Sequence, residues 1–459
     1  MIPEKFSARM REMLGADFAA FEAALEAPAI RALRVNTIKT NAEKLIPLLP
    51  FSPKPLPFAP DAYYAPEDKV GALPAHHAGM IYMQDPSAIC TVCAATPKKG
   101  IRAIDLCAAP GGKSTQLAAA IGDEGVLVSN EYVAARCRIL QGNVERIGAK
   151  NVIVTNLSTD ALADFYGACF DLVVADVPCS GEGMFRKYEV ASEEWSPENV
   201  TMCAARQRGI LEDAAALVAP GGQLLYSTCT FSLEENEQNI DAFLSAHPEF
   251  SLIPVASAIA AVTADGISFN GCKHDLSPCR RFYPHISPGE GQFVALLQKN
   301  DDTVCKKADD LKNTLPSPDT KTLTLARGFL AETLKEIPNN FTLTLLRDSL
   351  WLTPDFPIPS RGVFAPGVCL GTLQKGRIEP HHQFASAYGS AYRRRVELSN
   401  ADPRLLAYLR GEELPLTEDE CSRGNGYAAV LFEGAPLGGG KIVGDRLKNH
   451  YPKGLRGRC

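Results

Sequence analysis

Two cysteines and an aspartate stand where a sheet would bring them together. The run Leu172–Val177 is apolar and β-branched, of the kind that fills a strand buried on both faces; Asp176 breaks it, just before Pro178, Cys179, Ser180 and Gly181. Cys229 follows a second such run, Gln223–Ser227. Either thiol alone reads equally well as an inert core cysteine. Two thiols after two strands of one sheet can converge above its carboxyl edge, where open α/β sheets bind ligands. A deprotonated thiol is a strong nucleophile, and with a proton-handling acid such as Asp176 beside it the chemistry that fits is attack on an electron-poor ring.

A second group of residues reads as a cofactor site. The loop Cys107–Lys113 follows a strand ending in Asp105 and Leu106 and opens a helix, so its backbone amides can meet an anionic or carboxylate group. Cys107 stands where a P-loop has its first glycine, and the spacing is not G-x-G-x-x-G; the carboxylate of a compact nucleoside cofactor fits better than a pyrophosphate. Glu131, at the end of the next strand, is placed to accept hydrogen bonds from ribose hydroxyls. Asp160, a little past the third strand, reads either as a contact to an adenine edge or as a helix cap. The lone CxxC at Cys90–Cys93 and the loose cluster Cys272, His274 and Cys279 lack the partners of a metal site, and the pair His76–His77 reads as surface or core filling, so no metal is expected.

The elements that must position these residues alternate. Strands are expected at Ile101–Leu106, Val126–Ser129, 151–155, Leu172–Val177, Gln223–Ser227 and Gln292–Leu297. Helices are expected at Ser114–Ile121, Ala134–Ile147, 197–218 and 233–244, the last with Glu234 and Glu235 in its first turn. Such alternation implies a mostly parallel, doubly wound α/β sheet with helices on both faces. Before it, residues 1–88 form an N-terminal arm or domain with helical spacing of Phe6, Met10, Phe18 and Phe21 and a strand over 32–40. The catalytic domain is expected over 89–299, a polar linker over 300–320, a small α+β module over 321–400, and a last module over 401–459.

Composition bounds the class. The chain has 459 residues, a net charge of -6, 46% hydrophobic and 22% charged residues, which is ordinary for a globular protein. No apolar run approaches the ~20 residues that span a bilayer, and no early segment has the pattern of a secretory signal, so the cytoplasm is the default location. Fourteen scattered cysteines point to reduced thiols. The acidic total argues against indiscriminate coating of nucleic acid, yet Lys441, Arg446, Lys448, Lys453, Arg456 and Arg458 face the single acid Asp445, and Arg393, Arg394 and Arg395 form a second basic run beside Tyr392. Positive charge concentrated at one end favours polyanion contact.

Several segments together resemble a known family. DLCAAPGGKSTQLA, NEYVAARC, DVPCSGEGMFRK and LLYSTCTFSLEENE are similar to successive signatures of the Sun family, the S-adenosylmethionine-dependent RNA cytosine-5 methyltransferases. RVNT, QDPSA and PHISPGEGQFVALL are similar to further family elements, and the ending LGGGKIVGDRLKNHYPKGLR resembles the bacterial subgroup acting on small-subunit (16S) ribosomal RNA. The resemblance implies a Rossmann-like class I methyltransferase domain with S-adenosylmethionine as cofactor. Cys107, Ala108, Ala109, Pro110, Gly111, Gly112 and Lys113 would cradle its methionine end, Glu131 its ribose and Asp160 its adenine side, with Asp176 bordering it. Cys229 would be the nucleophile, Cys179 would assist product release, and Asp176 would stabilise protonation of cytosine at N3. The implied partner is RNA, as 16S ribosomal RNA or the assembling 30S subunit, bound by a monomer whose basic 401–459 module is PUA-like. Rival readings are the same chemistry on transfer RNA, DNA cytosine methylation with Cys179 attacking, and a non-catalytic RNA-binding assembly factor.

Overall fold

A computed structural model describes residues 2–65, 69–301, 311 and 313–456. Residues 302–310 and 312 of the expected linker, and Arg458 of the basic run, lie outside the described residues. Five apolar runs form parallel strands, β1 (Arg102–Asp105), β2 (Val126–Asn130), β3 (Val152–Thr155), β4 (Phe170–Asp176) and β5 (Val218–Thr228), and β6 (Gln292–Lys299) lies antiparallel on β5. The order across the sheet is β6, β5, β4, β1, β2, β3, with Arg280–Phe282 and Ala264–Asp265 beyond β6 and Val363–Ala365 antiparallel to β3 at the far edge.

The two-residue period of each strand divides its side chains between two helical layers. Ala103, Leu127, Val152 and Leu172 pack with α1 (Pro86–Ala95), α2 (Gly112–Ile121) and α3 (Ala134–Ile147). Ile104, Val128, Ile153 and Val173 pack instead with α4 (Thr159–Tyr166), α5 (Pro197–Leu217) and α6 (Glu237–Ala246). Local chemistry sets the helix ends: Asp85 accepts from Ser87 N at 2.8 Å to cap α1, and Ser196 accepts from Asn199 N at 3.1 Å to cap α5, with Pro197 at the first helical position. The fold is a Rossmann-like α/β sheet, doubly wound as its alternation implies.

Three local expectations need correction. The strand expected from Gln223 begins earlier, at Val218, and Pro220–Gly222 forms a bulge inside β5, where the register with β4 jumps from Phe170 opposite Val218 to Leu172 opposite Gln223. The last expected helix starts at Glu237, four residues late, because Asn236 is not helical (φ -111°, ψ -101°) and its side chain accepts from Thr228 Oγ1 at 2.6 Å and donates to Thr230 O at 3.0 Å. The N-terminal strand stops at Val35, since the Asn36 amide donates to Gly79 O at 2.7 Å and Ile147 O at 2.8 Å.

Three smaller sheets surround the central one. The N-terminal sheet is antiparallel, ordered Lys54–Leu56, Ala59–Tyr64, Ala32–Val35, Ile81–Gln84, and its last strand runs into α1. A four-stranded sheet spans 342–380. The five-stranded C-terminal sheet begins with Arg395–Leu398, parallel to Gly426–Phe432. Lys39 joins these parts: its Nζ lies within hydrogen-bond distance of Ala78 O (2.9 Å), Arg146 O (3.0 Å), Ser386 Oγ (2.9 Å) and Pro436 O (2.8 Å), and burial holds its pKa well below the usual lysine range. Gly148, which ends α3 at φ +75°, leaves room for it; a Cβ there would lie 2.7 Å from Lys39 Cε. Among the described residues, no helix is long and apolar enough to cross a membrane.

Candidate active site

The strand order reverses between β1 and β4, and the carboxyl ends of β1, β4 and β5 form the floor of the site. Cys179 and Cys229, fifty positions apart, meet there with their sulfurs 3.2 Å apart. The Cys179 thiol is pushed well above its ordinary pKa, first by the hydrogen bond with Cys229 and then by burial, so it keeps its proton. Asp176, at the end of β4, accepts from Lys113 Nζ at 2.7 Å, from Ser227 Oγ at 2.6 Å and from Gln292 Nε2 at 3.2 Å. Burial acts to lower the Lys113 pKa, but the Asp176 carboxylate more than offsets it and the net shift is upward.

The chain around Cys179 is clamped from below. Glu235 Oε2 accepts from Ser180 N at 3.0 Å and from Gln207 Nε2 at 2.7 Å, and Gln207 Nε2 also reaches Pro178 O at 3.0 Å. Glu235 is fully buried, its Oε1 has no hydrogen-bond partner, and burial raises its pKa to about 7. Glu235 is expected in the first turn of a helix; it lies instead in the turn before α6, facing inward. The Lys113 pairing, Gln292, Ser227 and the Glu235–Gln207 clamp were all missed from sequence. The one local signal was the ENE run beside TCT, which a helix-end reading absorbed.

On the cofactor side, the Cys107–Lys113 loop is tied back from behind. Ala108 N donates to Asn130 O at 2.8 Å, Arg136 Nη2 to Ala109 O at 2.8 Å and Asn143 Nδ2 to Pro110 O at 2.8 Å. Gly111 (φ +113°) precedes α2 without a side-chain cap, and a Cβ there would sit 3.1 Å from Leu140 Cδ1. Buried Glu131 accepts from Val133 N at 2.9 Å through Oε1, and its Oε2 lies 3.4 Å from Arg136 Nη1. Beneath them Asp105 accepts from Ser114 Oγ at 2.7 Å through one oxygen, has no partner for the other, and is raised by burial to about 7. Cys107 is half-buried; desolvation first and the neighbouring Asp105 second raise the pKa of its thiol, which stays protonated. Uncapped helix amides, a buried carboxylate at the end of β2 and an orphaned carboxyl oxygen are polar groups left over for a ligand, and they fit S-adenosylmethionine. Asp160 is in the first turn of α4, exposed, its pKa lowered by the Ser158 side chain and the Ala161 amide.

Among the described residues no three His, Cys, Asp or Glu side chains converge on a metal position. Tyr392 is buried beneath the Arg393–Arg395 run. Arg393 donates to Ala331 O and Arg456 to Tyr451 O, while Arg446, Lys448 and Lys453 stand exposed at the C-terminal end.

Sheet order and site together define an S-adenosylmethionine-dependent methyltransferase. Residues 92–298 match the family model described as 16S rRNA methyltransferase RsmB/F, residues 2–86 the N-terminal domain of 16S rRNA methyltransferase RsmF, and residues 394–457 the methyltransferase RsmF PUA domain. The chain is 32% identical to ribosomal RNA small subunit methyltransferase F of Klebsiella pneumoniae (strain 342), over 99% of this chain and 96% of that protein. A methyltransferase homolog from Pyrococcus horikoshii superposes with a TM-score of 0.57 at 28% identity, covering 65% of this chain and 95% of the other. NSun6 of the same organism, solved with SFG, shares the fold at TM-score 0.56 and 23% identity, covering 66% of this chain and 99% of the other. The chain belongs to the RsmB/F family of RNA methyltransferases, with an RsmF-type PUA domain at its C-terminal end.

Proposed function

We propose that the protein methylates C5 of cytosine in 16S ribosomal RNA through a covalent bond between Cys229 and C6 of the base. The observation that carries this reading is the 3.2 Å contact between Cys179 and Cys229, beside the Lys113–Asp176 pair. C5 of cytosine is a poor nucleophile. Addition of the Cys229 sulfur to C6 moves an electron pair onto C5, which then accepts a methyl group. Bound S-adenosylmethionine supplies that methyl on its sulfonium, held by Cys107–Lys113, Glu131 and Asp160. Asp176, oriented by Lys113, Ser227 and Gln292, stabilises the proton at N3 as negative charge builds in the ring.

Release requires the C5 proton to leave and the C6–sulfur bond to break, its electron pair returning to Cys229. Cys179 is suited to this second half. The hydrogen bond to Cys229 is the first cause of its raised pKa, and that cause disappears once the Cys229 sulfur is bonded to carbon. Freed from that hydrogen bond, Cys179 then serves as, or positions, the base for C5. The cytosine must be unpaired or flipped to enter, and the N-terminal arm (1–88) and the C-terminal modules (321–400 and 401–459) hold the surrounding RNA. The place of action is then the cytoplasm.

The test is to incubate purified protein with 16S and transfer RNA transcripts and map 5-methylcytosine. Cys229→Ala should lose both transfer and covalent capture, whereas Cys179→Ala should accumulate a denaturant-resistant protein–RNA adduct. A fully active Cys229→Ala protein would overturn the mechanism, and modification of transfer RNA alone would overturn the substrate.

A further inference from the structure

A cleft of 440 Å³ opens beside the site, lined by Ala29, Arg31, Met83, Asp85, Lys187 and Tyr188 among others. Its volume lies within the ~300–1,000 Å³ of small-ligand sites. Both of its walls are continuous with the catalytic groups. Gln84 packs against Gly112, where a Cβ would meet its amide at 3.2 Å, and the next residue, Lys113, pairs with Asp176. On the opposite wall Gly183 N donates to Cys229 O at 2.9 Å, and Met184 O accepts from both Lys187 N and Tyr188 N at 2.9 Å. One turn of chain therefore separates the Cys229 backbone from Tyr188.

That wall is fixed in place. Arg186 donates to Ala24 O at 2.7 Å, to Gly289 O at 2.5 Å and to the Glu290 carboxylate. Lys187 Nζ lies 2.8 Å from Asp85 Oδ2 and 3.6 Å from Glu290 Oε1. Arg186 and Lys187 thus already face carboxylates, which makes this wall of the cleft a poor track for a string of phosphates. What it offers is the Tyr188 ring, 60% exposed on a rigid support. An exposed aromatic ring beside a nucleic-acid site is a stacking platform for a base.

We propose that this cleft seats a nucleotide next to the target base in the RNA, with its base stacked on Tyr188. The inference rests on RNA being the substrate of the neighbouring site. It accounts for how a single unpaired cytosine is steadied while Cys229 attacks: the neighbouring base is held one turn away on the same segment that carries the Cys229 contact.

The experiment uses the full chain with a 16S ribosomal RNA transcript, and short single-stranded RNAs with one cytosine whose 5′ or 3′ neighbour is abasic. Tyr188→Ala should weaken RNA binding and raise the KM for RNA roughly tenfold, at every salt concentration, because stacking is lost and no phosphate contact is removed. Tyr188→Phe, which keeps the ring, should restore affinity, and S-adenosylmethionine binding should be the same in all three proteins. With the wild type, one of the two abasic RNAs should show the same loss, and Tyr188→Ala should add nothing further to it. Unchanged RNA affinity in Tyr188→Ala, or losses that simply multiply, would overturn the cleft while leaving the methyltransferase reading intact. Absence of methyl transfer to any RNA would overturn both.

Discussion

Glu235→Gln isolates the energetic cost of the clamp beneath Cys179. The Glu235 carboxyl is raised by burial from 4.5 to about 7. A folded pKa above the unfolded one means that the folded chain binds the proton more tightly, so the associated stability is fully present below about pH 4.5 and is lost as pH rises through about 7. At about 1.4 kcal/mol per pKa unit, a displacement of this size corresponds to about 3 kcal/mol, spread over that window. Glutamine keeps the shape and an oxygen for Ser180 N and Gln207 Nε2, but it does not titrate. Urea unfolding of both proteins at pH 5, 6, 7 and 8 gives the comparison. Asp105 is shifted in the same direction and is common to both, so the difference between the two profiles belongs to Glu235. The wild type should lose about 2.5 kcal/mol more than Glu235→Gln between pH 5 and 8. Parallel profiles would refute a buried, proton-holding Glu235.

Two further substitutions address the site and the assembly. Lys113→Gln removes the ammonium that holds Asp176 at 2.7 Å, and steady-state assays should show kcat down by about 10²–10³ with a much smaller change in S-adenosylmethionine affinity, since the amino group points at Asp176 and the cofactor loop is tied back by Asn130, Arg136 and Asn143. Lys39→Ala leaves the acceptors Ala78 O, Arg146 O, Ser386 Oγ and Pro436 O without their donor, and chemical denaturation should show a loss of about 2–4 kcal/mol.

The elements that could be read from sequence are those whose residues speak for themselves. Parallel strands buried on both faces are continuous apolar runs, and glycines such as Gly122 and Gly148 close the helices before them, so 134–147 is a helix with the very ends expected. The thiol pair was legible for the same reason, as each cysteine follows a strand of one sheet. What was hidden depends on distant partners. Glu235 and Asn236 look like helix-starting residues, and only Ser180, Gln207, Thr228 and Thr230 draw them inward. Lys113 resembles a loop cation until β4 brings Asp176 within 2.7 Å. Val363–Ala365 joins the edge of a sheet whose other strands end more than sixty residues earlier, and no local pattern announces such a pairing.

Lys39 sets how independent the parts of this chain can be. One amino group completes the end of α3, a loop of the N-terminal sheet and two C-terminal segments at once, so none of these surfaces is finished without the others. A fragment cut at the linker would expose bare carbonyls on one piece and strand a half-solvated amino group on the other. The protein should therefore melt in one cooperative step, and its C-terminal portion is better regarded as a keystone of the catalytic body than as an appendage tethered to it.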